Sequence, residues 1–118
     1  MKILIAEDDD INRELITEVL KSDGHDVTAV CDGMELIKIA LDSKPDLIIT
    51  DMQMPGMSGD TMISMIEEYE ELASVPIIVM TGMGEVEFKK LGVSKDINVL
   101  FKPVNMSKLK EFVLKFKK

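Results

Sequence analysis

The chain has 118 residues, 46% hydrophobic and 31% charged, with 22 acidic side chains against 14 basic ones and a net charge of −8. That length and balance suit one soluble domain, residues 1–118, built around a single core. The acid excess argues against an unaided grip on a nucleic-acid backbone, and no apolar run is long enough to span a bilayer.

The first ten residues carry one positive charge and four apolar residues before a run of carboxylates, which is not a signal peptide. Lys2 to Ala6 reads as a short apolar strand, followed at once by Glu7, Asp8, Asp9 and Asp10. Ile11, Leu15, Val19 and Leu20 then recur at helical spacing and predict a first helix with that apolar stripe. Asp23-Gly24 closes it. The turn Asp23 to Asp26 holds His25, the only histidine, expected to be solvated there. One histidine is too few for a histidine metal site or a catalytic triad.

Val27 to Val30 is the second strand. Cys31 follows as the single cysteine, so no internal disulfide can form and a reducing cytoplasm is the expected compartment. The thiol is expected to be a small buried group. Leu36, Ile37, Ala40 and Leu41 mark a second helix, which must stop before Pro45. Leu47 to Asp51 is an apolar run between turn signals that ends on a carboxylate, as a strand buried on both faces does.

A loop from Met52 to Gly59 leads to a third helix carried by Met62, Ile63, Met65, Ile66 and Tyr69, with a solvated acidic tail. Pro76 opens the strand Ile77 to Met80, which ends on Thr81-Gly82. A weakly patterned helix spans Glu85 to Leu91. Val99 to Phe101 is the last strand, ended by Lys102-Pro103. Leu109, Phe112, Val113 and Phe116 form a clean helical stripe, with Asn105 as N-cap. The many methionines around positions 52 to 83 read as core filling, Met83 apart.

Five strands alternating with five helices imply right-handed βαβ units and a parallel sheet covered on both faces. The carboxyl ends of such strands lie along one edge, where ligands bind. Here those ends carry Glu7-Asp8, Asp51, Thr81 and Lys102. Three close carboxylates repel one another, and a divalent cation between them relieves the repulsion. Mg²⁺ suits the set, because it prefers oxygen, uses few carboxylates and keeps waters. A hydroxyl and a lysine beside the metal complete what a transferring phosphoryl group needs around its oxygens. Asp51 is then the nucleophile. Gly82 has no side chain, so its backbone N–H can approach a phosphoryl oxygen closely.

The runs Ile3 to Asp9, Leu47 to Gly59, Ile77 to Gly82 and Phe101 to Pro103 resemble the receiver domain of two-component response regulators, in order and over the whole chain. The resemblance implies a flavodoxin-like α/β fold: a doubly wound five-stranded parallel sheet of order 2-1-3-4-5 with five helices. It implies Asp51 as phosphoacceptor, with Mg²⁺ held by Asp8, Asp51 and the Gln53 carbonyl and by Glu7 through water. It makes Thr81 the switch hydroxyl and Lys102 the lysine that pairs with the phosphoryl group. The backbone N–H groups of Met52 and Gly82 are its phosphoryl contacts, and Lys102-Pro103 is cis. Asp9 is left as a bystander near the rim.

The implied partners are a histidine kinase or histidine phosphotransfer protein as donor and a downstream protein on the face of the fourth helix, fifth strand and fifth helix. No nucleic acid or membrane is expected, and the chain is expected to be a monomer or weak dimer, either a stand-alone receiver or a piece of a longer protein. It is expected to be no enzyme beyond its own phosphorylation and dephosphorylation. One departure stands out. Val99 occupies the place, three residues before the lysine, where many receivers carry Tyr or Phe. Phe101 is expected to point to the opposite face and to offer no substitute, so the output change is expected to rely on the loop after Thr81.

Other readings fit less well. A flavodoxin needs a Ser/Thr/Gly-rich phosphate loop where this chain has Glu7 to Asp10. A hydrolase of the aspartyl-phosphate type needs an acid where Gln53 stands. A degenerate receiver used only for docking would not keep the full set of acids, Thr81 and Lys102.

Overall fold

A computed structural model describes residues 1–54, 57–90 and 97–116, with the backbone alone described at 53, 54 and 57–60. Its five main strands are β1 (Lys2–Ala6), β2 (Asp26–Val30), β3 (Leu47–Asp51), β4 (Ile77–Thr81) and β5 (Asn98–Phe101). All pair in parallel, in the order β2-β1-β3-β4-β5. The helices are α1 (Asp10–Ser22), α2 (Gly33–Ser43), α3 (Gly59–Glu68), α4 (Glu85–Lys89) and α5 (Met106–Lys115). A small antiparallel hairpin, Gln53–Met54 with Met57–Ser58, follows β3. The doubly wound order 2-1-3-4-5 with five helices is the one expected from the sequence.

Strand alternation divides the core in two. Ile3, Ile5, Leu47, Ile49, Ile78, Met80 and Leu100 pack on one face against Ile16 and Leu20 of α1 and Leu109 and Val113 of α5. Leu4, Ala6, Ile48, Ile77 and Val79 pack on the other against α2, α3 and Phe88 of α4. Every residue of β3 and β4 is buried, as their unbroken apolar runs require. Met52, Met62 and Met80 are core and Met65 packs against it, so these methionines fill space as read, while the side chains of Met54 and Met57 lie outside those described.

Helix ends follow local chemistry. Asp9 Oδ2 accepts the Asn12 N–H at 2.9 Å, Asp32 Oδ1 accepts the Glu35 N–H at 2.8 Å and Asn105 Oδ1 accepts the Lys108 N–H at 3.2 Å. Gly24 (φ 90°) supplies the left-handed turn after α1. Lys44 (φ 49°) ends α2 before Pro45 by bonding its N–H to Ala40 O at 2.9 Å. Among the described residues no helix is long and apolar enough to cross a membrane.

Four expectations are corrected. The buried stripe of α1 is Ile16 and Leu20, whereas Ile11 is 76% exposed and Leu15 44%. Cys31 is exposed, because it lies one residue past the end of β2. His25 is buried, with Nδ1 3.2 Å from the Met1 amino group, because Asp26 N–H bonds Met1 O and folds the turn over the chain start. The helix expected to reach Leu91 ends at Lys89. Leu91, Pro55 and Gly56 lie outside the described residues.

Candidate functional site

Strand parity assembles the site. Glu7 continues the Ile3-Ile5 row, Asp51 the Leu47-Ile49 row and Lys102 the Leu100 row, all on the α1/α5 side of the sheet. β1 and β3 are neighbours, so their acidic ends meet. One oxygen from each of Glu7, Asp8 and Asp51 lies within 4.8 Å of the others. Glu7 and Asp51 are each 1% exposed. The Lys102 ammonium donates to Asp51 Oδ2 and stands 3.6 Å from Glu7 Oε1.

The electrostatics follow from this crowding. The Glu7 carboxyl is pushed up from its ordinary 4.5 to about 7. Burial is the main cause; the hydrogen bond and charge of Asp51 add to it, and Lys102 works against it. Neither ionised Glu7 oxygen has a hydrogen-bond donor; a protonated Glu7 would itself be the donor, to Asp51. Burial opposes the charge on Lys102, but the hydrogen bond and charge of Asp51 and the charge of Glu7 outweigh it and raise its pKa. Buried carboxylate oxygens without donors, beside two further acids, form an oxygen set of the kind a hard divalent cation fills.

Arg13 was not singled out for this role by the sequence, yet it secures the acidic end of β1. Its Nη1 donates to Glu7 O at 2.9 Å, and its guanidinium pairs with Asp10. An Arg six residues after the first acid, on the first helix turns, is the signal that could have located it. Asp9 is a helix cap, which explains why it stays out of the cluster. A second acid group, Cys31, Asp32 and Glu35, also brings ligand atoms within 4.8 Å, but Asp32 already caps α2.

Thr81 ends β4 at the same edge but on the other parity, with Ile77 and Val79 on the α4 side. Its buried hydroxyl accepts the Met83 N–H at 3.0 Å. The structure thus brings together four of the five expected polar ends, and holds the fifth against the loop leading to α4. A Cβ built at Gly82 would meet no protein atom within 4 Å, so packing does not require glycine and the space beside its backbone is open. The Met52 N–H donates to Met80 O at 2.9 Å, because the β3–β4 pairing runs one residue past Asp51. Gln53 begins the hairpin directly after the site, and its side chain lies outside those described. Lys102-Pro103 is cis, as the resemblance implies.

Phe101 is a correction. Its ring stands edge-on to Phe88 of α4, centroids 6.3 Å apart and planes at 86°. It therefore shares a face with Val99, which packs on the same cluster as Phe88. Residues two apart on a strand point the same way.

Beside the acids a cavity of about 500 Å³ opens between α1 and the segment after β5, lined by Glu7, Asn12, Leu15, Ile16, Lys102 and Met106 among others.

A parallel sheet of this order, with acids and a lysine gathered at its carboxyl edge, defines a doubly wound α/β protein with an ionic site at the strand ends. The model of the response regulator receiver domain matches residues 3–114, and the chain belongs to that family. It is 34% identical over 114 residues to a two-component response regulator-like protein, APRR3, of Arabidopsis thaliana, covering 93% of this chain. The chain spans only 23% of that relative's length. It superposes on the chemotaxis response regulator CheY4 of Vibrio cholerae with a TM-score of 0.89 at 26% identity, covering 98% of both chains. It is similarly close (TM-score 0.85, 28% identity, 97% and 94% covered) to the receiver domain of the sensor histidine kinase PA1611 of Pseudomonas aeruginosa, solved with a magnesium ion in its active-site cleft.

Proposed function

We propose that the chain, as one receiver domain over residues 1–118, accepts a phosphoryl group on Asp51 from a phosphohistidine of a histidine kinase or phosphotransfer protein. The observation that carries this reading is the cluster of buried Glu7 and Asp51 with exposed Asp8, and the Lys102 ammonium on Asp51. Mg²⁺, held by Asp8, Asp51 and the Gln53 carbonyl and through water by Glu7, supplies neutralising charge for the phosphoryl oxygens. The orphaned Glu7 oxygens fit that group, and the magnesium ion in the kinase receiver domain supports it.

Asp51 uses a carboxylate oxygen to attack phosphorus. The P–N bond to the donor imidazole breaks, and the imidazole leaves with the bonding pair and takes up a proton. Lys102 leaves the carboxylate for a phosphoryl oxygen, keeping its charge where negative charge develops. Thr81 turns its hydroxyl from Met83 toward another oxygen, and the Gly82 N–H meets the same group through the space left by its missing side chain. Water attack on phosphorus later returns Asp51 and inorganic phosphate, so the only turnover is of the chain's own acyl phosphate.

Ile11 and Leu15, exposed beside the cavity next to Lys102, suit an apolar donor helix that brings its histidine to the acids. The downstream partner meets the face of α4, β5 and α5. The lone exposed Cys31 and the absence of a membrane-crossing helix among the described residues support a cytoplasmic setting.

Incubation with a small acyl phosphate and Mg²⁺, followed by intact-mass measurement, tests the reading. Wild type should gain one phosphoryl group and Asp51→Asn none. Equal labelling of the two would overturn it.

A further inference from the structure

The backbone at Glu7 is held from outside the acid cluster. Its N–H bonds Val30 O at 3.1 Å, at the end of β2. Its carbonyl accepts Arg13 Nη1 at 2.9 Å, and the other arm of that guanidinium pairs with Asp10. Arg13 stands in the first turn of α1, with its own N–H on Asp9 O at 2.9 Å and its carbonyl accepting the Thr17 hydroxyl at 2.7 Å. Asp8 lacks such anchors: it is exposed, and among the described residues no hydrogen bond or ion pair holds its carboxylate. Its direction toward Asp51 is therefore set by its backbone. The peptide unit is planar, so holding the Glu7 carbonyl also fixes the Asp8 N–H and the course of the chain into Asp8.

We infer that Arg13 is a positioning residue for the metal: by tying the Glu7 carbonyl to Asp10, it fixes the peptide that presents Asp8 to Asp51, and so sets the affinity for Mg²⁺. The inference rests on the reading of this cluster as the magnesium site. Arginine suits the role because its planar fork reaches two acceptors at once in fixed directions, whereas a lysine ammonium on its flexible stem does not hold a carbonyl and a carboxylate in one geometry. The acid run then has four separate uses. Glu7 is buried beside Asp51, Asp8 is presented to it, Asp9 caps α1 and Asp10 holds Arg13.

Charge and position predict opposite signs. A guanidinium beside the acids repels an incoming cation, so on charge alone its removal would tighten Mg²⁺ binding. As a positioning group, its removal loosens the site. Calorimetric titration of the whole chain with magnesium chloride reads the sign. Arg13→Gln and Arg13→Lys should each weaken Mg²⁺ binding by about tenfold, the usual loss when the group that orients a metal ligand is removed. The Mg²⁺ concentration that half-saturates acyl phosphate labelling of Asp51 should rise by the same factor, while the rate at saturating Mg²⁺ stays at the wild-type value, as loss of binding alone requires. Asp10→Asn should weaken Mg²⁺ binding less, and should add nothing in the Arg13→Gln background, because it acts through the guanidinium. Asp10→Asn is a surface change that leaves the fold intact, so it carries the test even if an Arg13 variant does not fold. In it the ¹⁵N resonance of the Asp8 amide, in the same peptide as the held carbonyl, should shift. Wild-type or tighter Mg²⁺ binding in either Arg13 variant, additive losses, or an unmoved Asp8 resonance would overturn the inference alone. No Mg²⁺ binding by the wild-type chain would overturn the magnesium reading and the inference with it.

Discussion

Around Asp51 the frame is held at several points: β1 and β3 pair side by side, β5 pairs with β4, Arg13 bonds the Glu7 carbonyl, and Lys102 spans two carboxylates. Among the described residues α4 buries only Phe88, and the loop before it is held by the Met83 N–H on the Thr81 hydroxyl. The first region stores electrostatic conflict in a rigid frame; the second has little to resist a push. A switch needs both, because a pocket that reorganised freely would absorb a charge change locally, and a tightly packed α4 would not answer to it.

The largest test of the contrast falls on the rigid side. Lys102→Ala removes the ammonium that bonds Asp51, and Asp51 labelling should slow by about a hundredfold, the usual loss for a pre-placed charge at a developing anion. Labelling at the wild-type rate would show that Lys102 only balances the resting charges. On the other side, Phe88→Ala should cost about 3 kcal/mol in a urea titration, as deletion of a buried ring does. Its labelling rate should stay at wild type, and α4 amides should lose protection while β3 amides keep theirs. Equal loss of protection in β3 would erase the distinction between the two regions.

The strands and the site were legible because their signals are strong and local. A five-residue apolar run has no other use in a chain this size, and a carboxylate at its end declares the sheet edge. The misread positions share a different cause, since each depends on how elements cross. Ile11 and Leu15 fit a helical period, but the face that α1 turns to the sheet is the one carrying Ile16 and Leu20. His25 is covered because the chain start folds beside it. Leu72, fully buried in the turn after α3, has no period to announce it. Phe101 was placed on the wrong face although period-two counting from Val99 gives the right one, and its contact with Phe88 needs the position of α4, which has almost no sequence pattern.

The conflict stored in the pocket has a pH signature of known sign. Glu7 has a folded-state pKa of about 7 against an ordinary 4.5, so the folded chain binds more protons between those values. Stability should therefore fall as pH rises through that window and stay reduced above it. The full cost is at most about 3 kcal/mol, at roughly 1.4 kcal/mol per pKa unit. Glu7→Gln should flatten the profile, leaving stability unchanged near pH 4 and raised at pH 8. Mg²⁺ should raise the thermal midpoint of wild type more at pH 8 than at pH 5, because protons and metal compete for the same oxygens. A wild-type profile that rises with pH across the window would mean Glu7 is ionised at no cost.

The smallest effect separates neighbours that look alike in sequence. Glu7, Asp8, Asp9 and Asp10 form one acidic run, but only the first two reach Asp51, and Asp9 is spent on the Asn12 N–H at the start of α1. Asp9→Ala should cost about 1 kcal/mol, the usual price of an N-cap, with Mg²⁺ affinity unchanged. Asp8→Ala should leave the urea midpoint without metal unchanged or higher, since one repelling charge is gone, and should lose the Mg²⁺ response. The pair works as a reciprocal control: one variant moves stability and not metal, the other metal and not stability. If both lost Mg²⁺ binding, the acid run would be acting as a diffuse negative surface and not as a site. If neither did, the oxygens that hold the ion would have to come from Glu7, Asp51 and the Gln53 carbonyl alone. A run of four like charges is unfavourable in any fold, and here the backbone divides it, burying Glu7, bringing Asp8 to Asp51 at the surface and using Asp9 to start the helix that Arg13 ties back to Glu7.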